Sequence, residues 1–251
     1  MTDTDATLNT DGPLPTGKEK ERAVRAMFDR IAPRYDALNR ILTFGLDMRW
    51  RRRAIRALQL PAASRVLDVA CGTGDFCREL AGAGLVPLGL DVSWGMLVAG
   101  RARVPLVQAD ALRLPIASGA VDGSTCGFAL RNVVDLPGLF GELGRVLRPG
   151  GRVSILEVAE PTSSVIRAGH RLYFRQVVPR IGGLLSDRPA YRYLPKSTAY
   201  LPPLDELLAM LSAAGFTSVR SVPLAFGAVR VTTGTRLADP LFGAGAPLRR
   251  Q

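Results

Sequence analysis

Short apolar runs alternate with amphipathic stretches along most of this chain, and that alternation assigns its elements. Residues 1–17 are rich in Thr, Asp, Pro and Gly and are expected to be a mobile, disordered N-terminus. From residue 18 to 58, Met27, Phe28 and Ile31 give an apolar stripe at helical spacing. Pro33 and Gly45 should divide this stretch into at least two helices, the second running from about Asp47 to Leu58 with Asp47 as its N-cap. From Arg65 the period changes. Strands are expected at Arg65–Ala70, Val86–Leu90, Leu106–Ala109, Val121–Phe128, Arg152–Val158, Ser218–Leu224 and Val229–Gly234. Helices fall between them, at Asp75–Ala83 and from the Ser93 cap to about Arg101. Strands alternating with helices predict an α/β fold, a seven-stranded, doubly wound parallel sheet covered on both faces. Between Pro161 and Pro203 the alternation stops, and five aromatic residues with several arginines suggest an inserted helical cap. The tail at 237–251 is Ala/Gly/Pro-rich and reads as flexible. One domain therefore covers residues 18–236.

Composition narrows the class. With 251 residues, 47% hydrophobic and 22% charged, the chain forms a folded core. The longest uncharged run, Leu207–Val219, has 13 residues, where a membrane span needs roughly 18 or more. The N-terminus lacks the basic and apolar regions of a secretory signal, and three cysteines (Cys71, Cys77, Cys126) form no disulfide framework or zinc pattern. A reducing cytoplasm is the expected compartment. The net charge is +11, and 12 basic against 5 acidic residues lie between Lys18 and Arg56. Such a patch suits nucleic acid, anionic lipid or an acidic substrate, or is simply a solvated helix face. No RNA-binding signature accompanies it, so no nucleic-acid partner is expected.

The strongest local chemistry is Val66-Leu-Asp-Val-Ala-Cys-Gly-Thr-Gly-Asp75, a strand running through a glycine pair into a helix. Gly72 and Gly74 flank Thr73 and let the backbone approach a ligand closely. A dinucleotide loop would want a third glycine, where Cys77 stands. Asp68 beside the loop favours a ligand carrying positive charge over a pyrophosphate. S-adenosylmethionine, with an ammonium and a sulfonium and no phosphate, satisfies that condition. Asp91 ends the next strand, where a carboxylate accepts from both ribose hydroxyls; Asp110 and Ala111 end the third, near the adenine amino group. Met96 or Val92 would pack on the adenine face. Any one of these aspartates reads equally well as a cap, but three at successive strand ends converge on the edge where open α/β sheets bind ligands.

With these residues in view, the chain resembles the ubiquinone/menaquinone biosynthesis C-methyltransferase family, the demethylmenaquinone methyltransferases, which have the class I methyltransferase fold. The matching segments are Met27–Asp36, Asn39, Gly45–Asp47, Trp50-Arg51, Leu67–Asp75, Asp91–Ser93, Met96-Leu97, Ala109–Ala111, Leu130–Val133 and Arg145–Gly151. The cap matches at Tyr173-Phe174, Pro179 and Ala190–Pro195, and beyond it Ala214–Phe216 matches. The glycine loop and Pro-Gly-Gly occur across many methyltransferases, whereas Tyr35-Asp36, Leu130–Val133 and Tyr191–Pro195 are specific to this family. The resemblance implies C-methylation of a reduced prenylated quinone precursor, demethylmenaquinol to menaquinol, with S-adenosylmethionine as cofactor. It implies a prenylated quinol substrate, peripheral contact with an anionic membrane surface, and a possible homodimer. It also implicates Arg131 and Asn132 in the acceptor site. Tyr35, which comes from the N-terminal helices, is expected either to close over the cofactor or to hydrogen-bond the quinol. Where the family reads Ser-Phe-Gly-Leu-Arg-Asn, this chain has Gly127-Phe-Ala-Leu-Arg-Asn132, so Gly127 offers the cofactor only backbone. Another hydrophobic phenol, or less readily RNA, is the alternative acceptor. His170, the sole histidine, reads as structural or surface rather than catalytic, and no metal site is expected.

Overall fold

The computed structural model describes residues 15–100, 103–161, 163–173, 176, 178, 180 and 187–238. The expectations for most of the N-terminus, for the tail beyond residue 238 and for Phe174, Pro179 and Gly182-Gly183 of the cap lie outside these residues, as do the side chains of His170 and Tyr191. The chain opens with α1 (Gly17–Leu42) and α2 (Leu46–Leu58). The alternating part follows as β1 (Arg65–Val69), α3 (Asp75–Gly82), β2 (Val86–Asp91), α4 (Trp94–Ala99), β3 (Leu106–Gln108), β4 (Val121–Gly127), α5 (Leu136–Val146) and β5 (Leu147–Val158). The cap contributes α6 (Ser164–Leu172) and α7 (Arg188–Ser197). Then come α8 (Leu204–Ala213), β6 (Phe216–Leu224) and β7 (Val229–Arg236).

The seven strands form one sheet in the order β3-β2-β1-β4-β5-β7-β6. The order reverses between β1 and β4, and the crevice at that switch point is where such sheets bind ligands. One expectation is corrected: the sheet is mixed, because β7 runs antiparallel to both β5 and β6. Only Ala225–Ala228 separate β6 from β7. A parallel crossover needs a dozen or more residues, so this connection can only be a hairpin.

Period-2 alternation divides β1 between two cores. Leu67 and Val69 join Leu139, Phe140, Leu143 and Leu211 of α5 and α8. Val66 joins Ala54, Leu58, Phe76 and Leu80 of α2 and α3 on the other face. A third cluster packs Val24, Met27, Ile31 and Leu38 of α1 against Ala190 and Tyr193 of α7.

Two expectations about the N-terminal helices are also corrected. The helix does not break at Pro33, which is exposed within a continuous α1. Packing of Met27 and Ile31 before it and Leu38 after it outweighs the lost hydrogen bond. Asp47 does not cap α2; Gly45, in the left-handed region, holds that position. Asp47 is instead buried in the first turn, where it accepts from Arg51 at 2.8 Å, from Thr43 at 3.0 Å, and from Arg40. Arg40 also donates to Asp75 at 2.6 Å, which ties α1 and α2 to the start of α3. No helix among the described residues is long and apolar enough to cross a membrane.

Candidate active site

The glycine loop leaves β1 with three residues in left-handed backbone: Ala70 (φ 55°), Gly72 (φ 57°) and Gly74 (φ 84°). A side chain at 72 or 74 would be strained there, which is the local reason for both glycines. The Gly72 N–H donates to Asp91 Oδ2 at 2.7 Å, and the Ser93 N–H donates to Asp91 Oδ1 at 2.8 Å. The Asp91 carboxylate at the end of β2 is thus fixed by one donor from each neighbouring loop. Burial pushes its carboxyl above the usual range, while these two backbone donors pull it back. Ser93 then caps α4, its Oγ accepting from the Met96 N–H at 3.2 Å.

Asp68 sits behind the loop. It is paired in register with Thr125 of β4, whose hydroxyl donates to it at 2.7 Å, and Cys77 of α3 donates its thiol at 3.6 Å. Burial raises its carboxyl to about 7, against the opposing pull of Thr125 and Arg51. Thr73 also points away from the crevice, donating to Asp36 of α1 at 2.5 Å. Gly74 serves as the N-cap residue of α3.

One cavity lies over the switch point, with about 950 Å³ of empty space including its open mouth. One end is lined by Gly72, Asp91, Met96, Asp110, Ala111 and Gly127, with Leu90, Val92 and Leu112 supplying apolar walls. Six of the nine cofactor positions expected from the sequence therefore meet here; Asp68, Thr73 and Gly74 stand outside the lining. The Asp110 carboxylate is exposed and accepts from the Leu112 N–H at 2.8 Å. Gly127 has a packing reason: a Cβ there would lie 2.6 Å from the Phe76 ring.

The other end is lined by Val24, Arg25, Phe28 and Tyr35 of α1 and by Asn132 and Val133. Tyr35 stands edge-on to Phe28 at 5.8 Å between centroids, and burial raises its phenol above the usual range. Asn132 ends a single 3₁₀ turn, Leu130–Asn132, and its Oδ1 accepts from the Tyr193 hydroxyl of the cap at 3.3 Å. Arg131 is turned the other way. It is buried against Glu157 at the end of β5 and is not part of the lining. Glu157 Oε1 also accepts from the Val158 N–H at 2.9 Å, and Oε2 has no partner among the described residues.

Several contributors were not anticipated: Asp29, Asp36, Phe28, Tyr193 and Glu157. Asp29 accepts from the Ser93 hydroxyl at 2.6 Å and from the Gly95 N–H at 2.8 Å, so α1 is clamped over α4 beside the crevice. A Cβ at Gly95 would meet the Asp29 backbone at 2.9 Å, which is why the two elements can touch. Asp29 and Asp36 are seven residues apart, two helical turns on one face, and that spacing was a readable signal. Among the described residues no cluster of three or more His, Cys, Asp or Glu could hold a metal ion.

The family described as ubiE/COQ5 methyltransferase matches residues 16–236. A ubiquinone/menaquinone biosynthesis C-methyltransferase (UbiE) of Syntrophotalea carbinolica is 44% identical over 221 residues, 84% of this chain and 93% of that protein. A demethylmenaquinone methyltransferase of Thermus thermophilus is 44% identical over 220 residues, 84% of this chain and 100% of that protein. Among solved structures, a SAM-dependent methyltransferase of Thermotoga maritima, described as a possible histamine N-methyltransferase, superimposes with a TM-score of 0.60. It is 19% identical and covers 84% of this chain and 98% of its own, a likeness of fold: the class I, Rossmann-like methyltransferase fold.

Proposed function

This chain belongs to the ubiE/COQ5 methyltransferase family, and on that premise we propose its reaction and the residues that carry it. The protein is an S-adenosylmethionine-dependent C-methyltransferase of quinone biosynthesis, acting on the ring carbon of reduced demethylmenaquinone. The observation that carries the reading is that one continuous cavity is lined both by Asp91 and by Tyr35 and Asn132. A donor and an acceptor bound in one cavity can be held in line at contact distance, and much of the catalysis of a displacement comes from that alignment.

S-adenosylmethionine fits the donor end on the residues present. Asp91 is held by backbone donors at a strand end, and a carboxylate so fixed suits a vicinal diol. Leu90, Val92, Met96 and Leu112 give a flat aromatic base apolar walls, and Asp110 adds an acceptor at its rim. Asp68, Thr73 and Gly74 contribute by setting the loop's shape: Asp68 bonds β1 to β4, and Thr73 bonds the loop to α1. When bound, the cofactor supplies a methyl carbon made electrophilic by its sulfonium.

At the acceptor end, Tyr35 is a neutral phenol at pH 7, and its hydroxyl is able to donate to a quinol oxygen. The Asn132 amide, oriented by Tyr193, donates to the quinol oxygen and stabilises it as phenolate. Loss of the phenolic proton to water raises electron density on the adjacent ring carbon, and that carbon gives up its own proton to water once it is methylated. Arg131 acts as a positioning residue. Its pairing with Glu157 fixes the turn that presents Asn132, and its charge favours an anionic oxygen nearby. Phe28 and Val24 offer the ring an apolar wall.

The test uses the purified chain, methyl-labelled S-adenosylmethionine and reduced demethylmenaquinone in detergent. Wild type should yield product with a new ring methyl, and Asn132→Ala should lower turnover by roughly a hundredfold while leaving cofactor affinity in place. Cofactor binding with no transfer to the quinol would overturn the acceptor assignment.

A further inference from the structure

Three segments at the carboxyl edge of the sheet carry large apolar side chains into solvent. Phe44 stands at the tip of the α1–α2 turn, 81% exposed, with φ 53°. Phe226 stands at the tip of the β6–β7 turn, also 81% exposed, with φ 55°. Both tips lie on one edge. β6 is parallel to β5, since each is antiparallel to β7, so its C-terminal turn lies at the carboxyl edge. The start of α2 reaches the same edge, where Trp50 meets Phe128 just past β4, with 6.4 Å between centroids. The third segment, α6, follows β5. Val165, Ile166, Gly169, Leu172 and Tyr173 fall on one helical stripe, and Val165 and Leu172 are 80% and 56% exposed. Tyr173 joins this stripe to the first tip: its hydroxyl donates to the Leu42 carbonyl at 2.7 Å, and its ring lies 6.4 Å from that of Phe44.

A bulky aromatic resists left-handed backbone, and an exposed one gains nothing from burial. Phe44 and Phe226 incur both costs at turn tips where asparagine or glycine would be easier. The charge around the first tip has a single sign: every exposed ionised residue between 33 and 58 is an arginine, Arg49 and Arg53 standing one and two turns beyond the exposed Leu46. Apolar wedges set apart at turn tips, with a cationic surround, suit a fluid anionic surface better than a shaped protein partner.

We propose that this edge docks on an anionic lipid bilayer, Phe44 and Phe226 entering the headgroup–acyl boundary, α6 lying along it, and the arginines of α2 meeting lipid phosphates. Tyr35, which lines the cavity, is under two helical turns from the exposed Ile41 on α1, so docking brings the acceptor end of the cavity to the lipid surface.

Flotation tests this with vesicles of phosphatidylglycerol in phosphatidylcholine against phosphatidylcholine alone, across a salt series. The wild-type chain should float with the anionic vesicles and be released by salt. Phe44→Asn and Phe226→Asn keep residues that tolerate left-handed backbone, so the turns should survive. Each should weaken binding about tenfold or more. Arg49→Gln with Arg53→Gln should weaken it roughly fivefold per arginine and flatten the salt dependence. Cofactor affinity should be unchanged in all three variants, which shows that the fold is intact. No flotation by the wild type, flotation indifferent to the phenylalanine changes, or a dimer in light scattering that Phe44→Asn splits would each overturn the proposal. Flotation involves no methyl transfer, so its failure would leave the quinol assignment standing.

Discussion

Asp68 should oppose folding at neutral pH, and Asp68→Asn should relieve it. Asp68 lies on β1, between β2 and β4, and is 1% exposed, and burial raises its carboxyl from 3.8 to about 7. A carboxyl raised in the folded state holds its proton more tightly there than in the unfolded chain. Its cost is therefore absent well below pH 3.8, grows as the unfolded chain ionises, and is complete above pH 7. A shift of about three units at 1.36 kcal/mol each sets the full cost near 4 kcal/mol, an upper figure. Between pH 5 and pH 8 the change should be about 2–3 kcal/mol. Asparagine keeps the bond from the Thr125 hydroxyl and loses the charge. Urea unfolding of both proteins across that range is the assay. The variant should gain on the wild type as pH rises, because every other titrating group is common to both and cancels in the difference. Stability curves that run parallel from pH 5 to pH 8 would refute the argument, and a variant that loses ground would show Asp68 ionised and stabilised by Arg51.

Three further outcomes follow from the site. Asp91→Ala should weaken S-adenosylhomocysteine binding by roughly 30-fold, from the charged hydrogen bonds lost, and an unchanged Kd by calorimetry would remove Asp91 from the ribose. Gly127→Ser should cost about 1–3 kcal/mol, because its Cβ meets the Phe76 ring at 2.6 Å; Phe76→Leu in the same chain should recover part of the loss in thermal melts. Glu157→Gln leaves Arg131 charged and buried without its partner, so unfolding should become easier by about 3 kcal/mol. A loss well under 1 kcal/mol would show that the pair does not hold the Asn132 turn.

Most of the sheet was legible because each parallel strand is covered on both faces and so reads as a bounded apolar run. What misled was the generalisation from that pattern. The four residues between β6 and β7 already exclude a crossover, yet the alternation upstream suggested a parallel sheet throughout. Pro33 and Asp47 failed for a different reason: local preference was overruled by tertiary contact. Met27, Ile31 and Leu38 carry α1 through the proline, and Arg40, Arg51 and Thr43 draw Asp47 into the first turn, away from the cap. Neither set of partners is implied by the identity of the residue it overrides.

The site divides along a similar line. Position at a strand end selects the edge of the sheet, and this placed Asp91, Asp110, Ala111 and Gly127 around one cavity. It does not select which side of the backbone a side chain takes. For Asp68 that side was available from the alternation itself: Val66 packs among α2 and α3, so Asp68, two residues on, faces α3 and meets Cys77 rather than the crevice. For Arg131 and Asn132 no such rule applies, because a single 3₁₀ turn sends adjacent side chains in different directions. Which of the two faces the cavity is decided by Glu157, far along the chain, whose buried carboxylate is stable only beside a cation. Arginine is the cation of that pair, and Asn132 is left to face the acceptor. The Arg-Asn order in the sequence is thus read by the sheet as one structural and one site-facing residue.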